Sequence, residues 1–254
     1  MSSETLAGRK ILLTGGTQGI GYALLELLLR SNCTVYVLAR NTDPLSRLVE
    51  QYPGHVIPLA ADVADAEQLK AALEDVAEID TLILNAGTCE YIQASHFDSK
   101  SFARVLGVNL QGNANILEFT IPKLLESQRG PHIVGISSLV TELALPRSEA
   151  YGASKAGFEY LLSSLRADLY RYGVDVTIVQ PGFVETPLTD RNDFEMPFIM
   201  KADEAARHVL KAITQRRYTY RFPWQLALTM RIAAKFPVPM ILKFVQKMAP
   251  KHEQ

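Results

Sequence analysis

The sequence predicts an α/β fold: a doubly wound parallel sheet of about seven strands with helices on both faces, in one domain. Three observations carry that expectation. Short β-rich apolar runs alternate with helix-like stretches. A glycine-rich turn, Thr14-Gly15-Gly16-Thr17-Gln18-Gly19-Ile20-Gly21, follows the first run and opens the first helix. No repeat, low-complexity tract or linker interrupts the 254 residues, a length that suits one large domain with a full core.

Taken in order, the first strand is Lys10–Thr14, ending on the glycine turn. Further strands are expected at residues 34–38, 55–59, 81–85, 132–137 and 175–180, with 218–222 as the seventh. Helices are expected to begin near Gly19, Pro44, Ala64, Ser99, Ala150 and Ala202, the Ser99 segment running to Glu126. Right-handed crossovers then put the ligand cleft at the carboxyl ends of the strands.

The first turn sits where backbone N–H groups and a helix N-terminus can face a pyrophosphate. Gly15 permits the tight turn, Gly19 a close backbone approach, and Gly21 close packing of helix on sheet. The second strand ends Val37-Leu38-Ala39-Arg40. A dinucleotide fold that prefers NAD usually carries an acid there for the ribose hydroxyls. Here Ala39 takes that place and Arg40 follows, and an Arg fork suits a 2′-phosphate. Such charge-assisted bonds are worth about 1.5–3 kcal/mol, so NADP(H) is the expected cofactor and NAD(H) the weaker alternative. Asp62-Val63 after the third strand can bracket an adenine ring, though Asp62 can equally cap the next helix.

The chemistry is expected between Ser138 and Lys155. Tyr151 and Lys155 are four apart, so on a helix they share a face. Ser138 follows the apolar run His132-Ile133-Val134-Gly135-Ile136-Ser137, which reads as a buried strand. A strand end facing a helix with Tyr and Lys brings a hydroxyl, a phenol and an ammonium toward one carbonyl. Neighbouring Ser137 is the competing hydroxyl. No metal site is expected. The five histidines read as structural or exposed, and Cys33 and Cys89 as small buried side chains in a reducing compartment.

Charge is uneven. The chain has a net charge of −1 and 48% hydrophobic residues, which gives no sign of nucleic-acid binding. Yet residues 211–252 hold Lys and Arg with no Asp or Glu, so all 27 acids lie elsewhere. Residues 223–254 read as a basic amphipathic extension, two helices broken at Pro237-Val238-Pro239. Their longest uncharged apolar run is far short of the ~20 residues that span a bilayer. Such helices can lie in a membrane interface or pack on the protein as a lid or contact surface. The polar start of the chain has no apolar signal core, so cytoplasmic residence is expected, with peripheral membrane contact through the extension.

The markers resemble the short-chain dehydrogenase/reductase family in its compact single-domain, Rossmann-type branch. They run in order from about Arg9 to Thr186: the glycine turn, Asp62-Val63, Asn85-Ala86-Gly87, Asn109, Ser138, Tyr151 with Lys155, and Pro181-Gly182 with Thr186. Leu84 stands where the family often has a further Asn. The resemblance implies cofactor contacts from Gly15, Thr17, Gln18, Gly19, Ile20, Arg40, Asp62, Val63, Asn85, Ala86, Gly87, Pro181, Gly182, Val184 and Thr186, with Tyr151 and Lys155. It implies Tyr151 as the acid/base, Lys155 lowering its pKa and holding the nicotinamide ribose, and Ser138 on the carbonyl oxygen. Asn109 would hold a water in a proton relay to Lys155. Homodimers or homotetramers through the helices carrying Asn109 and Tyr151 are implied as well.

Residues 188–201, with Phe194, Met196, Pro197, Phe198, Ile199 and Met200, form the expected substrate loop. Their apolar character points to an apolar or lipid-like carbonyl or alcohol. Alternatives are a soluble 3-oxoacyl or small-ketone reductase, and a dinucleotide-sensing protein without catalysis.

Overall fold

The computed structural model describes residues 6–190 and 192–246. The polar start at residues 1–5, Arg191 of the substrate loop, and Lys247, Lys251 and His252 of the basic extension lie outside them.

Seven strands form one all-parallel sheet in the order β3-β2-β1-β4-β5-β6-β7. They are β1 (Lys10–Thr14), β2 (Thr34–Ala39), β3 (Val56–Ala60), β4 (Thr81–Leu84), β5 (His132–Ile136), β6 (Asp175–Pro181) and β7 (Thr219–Phe222). Their alternation sorts the core into two layers. Ile11 and Leu13 of β1 pack with Leu24, Leu25 and Leu28 of α1 (Gly19–Arg30) and with Val209 and Ile213 of α7 (Ala202–Thr214). Leu12 faces the other layer. There Leu69 of α3 (Ala66–Leu73), Ile116 of α5 (Gly112–Leu125) and Phe158 of α6 (Glu149–Leu169) cover the sheet. Each fully buried Leu, Ile or Phe contributes about 1.5–3 kcal/mol, which is why the elements fold where the apolar pattern places them.

Three boundaries differ from expectation for local reasons. The helix expected from Pro44 begins as a 3-10 turn, Asp43–Leu45, and becomes helical as α2 (Ser46–Gln51). The helix expected from Ala64 starts at Ala66, because Asp65 is its cap and accepts from the Glu67 and Gln68 amides at 3.1 Å. Asp62 instead closes the preceding turn, accepting from the Ala64 amide at 3.0 Å. The long helix expected from Ser99 is interrupted. A π segment, Gly107–Gln111, separates α4 (Ser99–Leu106) from α5, and Asn109 sits in it.

The order in which strands are added reverses between β1 and β4, and their carboxyl ends open a crevice between the glycine turn and Asn85. Beyond β7 the chain forms α8 (Trp224–Ala233) and α9 (Val238–Gln246). Leu226, Met230 and Val245 dock on Leu139 and Leu143 in a third cluster at the same end of the sheet. No helix among the described residues is long and apolar enough to cross a membrane.

Candidate active site

Three successive residues at the end of β5 engage successive turns of α6. Ser138 faces Tyr151, and its hydroxyl opposes the rise of the phenol's pKa. Lys155 Nζ donates to the Ile136 carbonyl at 2.8 Å. Ser137 donates to Glu159, one turn beyond Lys155. The two serines therefore differ in their partners. Ser137 is 3% exposed and held in a network in which Glu159 Oε1 also accepts from Thr141 (2.9 Å) and Gln180 (2.9 Å). Ser138 lines the cleft beside Tyr151. Its Oγ also accepts the Val140 amide at 3.2 Å, fixing the turn that follows β5.

Electrostatics follow from burial. Tyr151 is pushed above the usual phenol range, chiefly by desolvation. Lys155, 4% exposed, is brought down to about 8, again by desolvation, with the Glu159 carboxylate acting the other way. The Lys155 ammonium lies 5.8 Å from the Tyr151 ring centroid. Glu159 was not singled out in the sequence, although its i+4 spacing from Lys155 was visible there.

Asn109 is fully buried and works as a brace. Its Oδ1 accepts the Thr88 amide (2.8 Å), and its Nδ2 donates to the Thr88 carbonyl and to Ser154 Oγ (both 2.9 Å). Its main-chain carbonyl accepts from Asn113 Nδ2 at 2.6 Å. A Cβ on Gly87 would come within 3.5 Å of Lys155 Nζ and 3.3 Å of Asn109 Oδ1, so this strand-end loop passes directly over both.

At the crevice, Gly15 has φ +68° and a Cβ there would lie 2.9 Å from the Ala86 backbone. Gly21 touches Gly15 so closely that a Cβ would lie 2.2 Å from its carbonyl oxygen. Asn85 Nδ2 ties the two strand ends together, donating to the Thr14 (3.1 Å) and Gly15 (2.9 Å) carbonyls. Thr14 Oγ1, unsuspected from sequence, accepts the Asn85 and Ala86 amides at 3.0 Å. Gln18 makes no side-chain cap on α1, so the first amides of that helix are left for another acceptor. Thr17 and Ile20 flank it in the same turn, half-buried. Thr186 closes the far side, 3.0 Å from the position of a Cβ on Gly19. Arg40 is exposed just past β2, and Val63 is buried, its carbonyl held by Asn115 Nδ2 at 3.1 Å.

A cleft of ≈ 940 Å³, open mouth included, reaches the Ser138 and Tyr151 side chains. Its lining is mostly apolar, with Leu139, Val140, Leu145 and Phe183 joined by Leu226 and Met230 of α8. Gly182 lies between them, its amide donating to the Phe222 carbonyl at 2.7 Å beside Pro181. The expected substrate loop forms a flap pinned at both ends. Val184 bridges Met200, and Thr189 Oγ1 donates to the Val184 carbonyl at 2.6 Å.

The flap divides the apolar set. Leu188 and Phe194 line the cleft, Met200 enters the main core, and Phe198 and Ile199 are exposed on the outer side. Tyr91, Arg147 and Asn192 complete the rim, which the sequence pattern did not reveal because they come from three distant loops.

Cys33 is buried as expected, but Cys89 is half-exposed in the cleft wall, because the loop after β4 turns out of the core there. Among the described histidines, His132 is buried against Thr177 at 2.8 Å and brought down to about 3 by burial. His55, His96 and His208 lie outside the cleft lining.

A family model described as short chain dehydrogenase matches residues 9–196. An uncharacterized oxidoreductase of Myxococcus xanthus is 34% identical over 239 residues, covering 91% of this chain and 94% of that protein. A 3-oxoacyl-(acyl-carrier-protein) reductase of Thermotoga maritima is 33% identical over 193 residues, covering 73% of this chain and 78% of that protein. A solved short chain dehydrogenase of Burkholderia cenocepacia, in complex with NADP, matches with a TM-score of 0.84 at 25% identity. That match covers 97% of this chain and 100% of the other. The chain is an oxidoreductase and belongs to the short-chain dehydrogenase/reductase family.

Proposed function

We propose that the protein is an NADP(H)-dependent oxidoreductase for the carbonyl or secondary alcohol of an apolar substrate, with Tyr151 as the acid/base. The observation that carries this reading is the meeting of Ser138, Tyr151 and Lys155 at the edge of an apolar cleft. The crevice residues fit a dinucleotide: an uncapped helix N-terminus, a glycine turn too tight for side chains, and Arg40 following Ala39, which stands where an acid would favour NAD.

A bound nicotinamide would supply the hydride to the carbonyl carbon. Tyr151 Oη would donate the proton to the carbonyl oxygen, and its raised pKa keeps the phenol protonated for that step. Ser138 Oγ would hydrogen-bond the same oxygen as charge develops. Lys155, held on the Ile136 carbonyl, would supply positive charge beside the phenol and a hold on the ribose hydroxyls. Asn109 would hold the relay water that leads to Lys155. In the reverse direction the Tyr151 phenolate, formed with the Lys155 ammonium beside it, would take the alcohol proton.

The exposed Tyr160 on α6 supports assembly of copies through that helix into a homodimer or homotetramer. The exposed apolar and basic face of α8 and α9 supports residence at the cytoplasmic surface of a membrane.

The test is NADPH oxidation with a panel of aliphatic ketones and aldehydes. Tyr151→Phe should lower turnover by about 10²–10⁴-fold while leaving cofactor binding intact. Near-normal turnover in that variant sinks the mechanism. The Thermotoga maritima relative favours a second reading, a 3-oxoacyl thioester reductase, which the same assay tests with a thioester added to the panel.

A further inference from the structure

One charged side chain in the cleft has no task in this mechanism. Arg147 lies four residues before Tyr151, with φ 62°, a left-handed conformation that costs a non-glycine residue free energy. Its guanidinium carbon sits 4.6 Å from the Tyr91 ring centroid, which fixes the plane of the fork. Nη1 donates to Asp193 Oδ1 of the flap at 2.7 Å. Nε, on the fork's other edge, is buried and has no partner among the described residues. The Arg147 side chain is 19% exposed, whereas Asp193 is 56% exposed, so water screens the acid more than the fork.

A buried N–H with no acceptor is a cost that a bound acceptor removes. The Nε edge of an Arg is built to hold a carboxylate through two parallel bonds. We propose that Arg147 anchors a carboxylate of the substrate, so that the preferred substrate class is an apolar oxo or hydroxy acid rather than a neutral ketone. This rests on the reading of the cleft as the carbonyl site. Asp193 balances one side of the fork when the cleft is empty, and Leu145, Phe183 and Phe194 line the space for an aliphatic body.

The probes are a series of oxo acids, about five to ten carbons long with a methyl-ketone end, each matched by the neutral methyl ketone of equal length. Calorimetric titration into the NADP-loaded wild type and Arg147→Gln reads binding without turnover, and NADPH oxidation is measured alongside. The best oxo acid should bind the wild type about tenfold or more tighter than its neutral match. Arg147→Gln should lose most of that advantage by weakening the acid more than the ketone, and an unchanged thermal unfolding midpoint shows that the variant is folded.

Equal affinity of acid and ketone for the wild type overturns the proposal, as does equal weakening of both in the variant. If the acid binds through Arg147 but no carbonyl is turned over, the anchor stands and the catalytic reading falls. If ketones are turned over without preference for the acid, the catalytic reading stands and the anchor falls.

Discussion

Lys155 is almost completely removed from water, yet among the described residues its hydrogen-bond acceptor is one main-chain carbonyl, that of Ile136. Its folded pKa of about 8 lies below the ~10.4 of an unfolded lysine. Between those values the unfolded chain carries a proton that the folded chain has released. The stability cost is therefore complete below about pH 8 and is relieved as pH rises toward ~10, by at most ~1.4 kcal/mol per pH unit. Lys155→Met should abolish turnover and be more stable than wild type at pH 7, by about 1–2 kcal/mol after the orphaned Ile136 carbonyl is counted. Urea unfolding of both proteins at pH 7 and pH 9.5 measures this. The gap should narrow at the higher pH, and a gap that ignores pH removes burial of the charge as its cause. Tyr151 acts with the opposite sign only above its ordinary pKa of ~10, outside that window.

Among the elements, α8 and α9 have the least settled surface. Trp224, Leu228 and Ile232 recur at i, i+4 and i+8 on α8, exposed by 67%, 48% and 50%. The opposite side of the same helix carries the buried Leu226, Ala227 and Met230. Phe236, Val238, Met240 and Leu242 continue the exposed apolar surface, with Arg231, Lys235 and Lys243 among them. An apolar ridge set among cations, in a stretch with no acid, is complementary to an anionic lipid surface. Because Leu226 and Met230 line the cleft, a membrane on the outer side would lie one helix thickness from the substrate path. The protein should float with vesicles containing phosphatidylglycerol, less so in high salt, and hardly with neutral vesicles. Replacing Trp224, Leu228 and Ile232 together by Ser should lose the binding and keep turnover of a water-soluble ketone. If the triple variant instead changes oligomeric state and the wild type never floats, the ridge is a contact between copies.

Over the whole molecule, the cofactor crevice joins parts that otherwise meet only through the sheet. The turn after β1, the end of β2, the loop after β4 and the Thr186 segment all border it. A ligand held by all four should stabilise the global fold, by about 2.7 kcal/mol at a hundredfold excess over its Kd. Thermal unfolding should therefore shift upward more with NADPH than with NADH at equal concentration. Arg40→Ala should remove most of that difference without lowering the midpoint of the cofactor-free protein, since Arg40 is exposed. An unchanged difference between the two cofactors in that variant takes the 2′-phosphate away from Arg40.

The alternation of strands and helices that gives a doubly wound sheet, the glycine turn and the pairing of Tyr151 with Lys155 were legible in the sequence alone. Each is set by short-range physics: period-two burial in β1, the steric room that only glycine gives beside Ala86, and the helical repeat that stacks residues four apart. The two tail helices flanking Pro237 were legible for the same reason. Other features came only from the tertiary structure. The engagement of Ser137 by Glu159, a carboxylate shared with Gln180, depends on α6 and β6 meeting beside the end of β5. The π segment that turns Asn109 onto Thr88 interrupts a pattern that reads as unbroken helix. Arg147 meets Tyr91 and Asp193 only because loops from three regions converge at the strand ends. Sequence spacing encodes what a residue does to its own turn or strand. Which distant partners satisfy its polar atoms is decided by the packing of the sheet and its two helical layers.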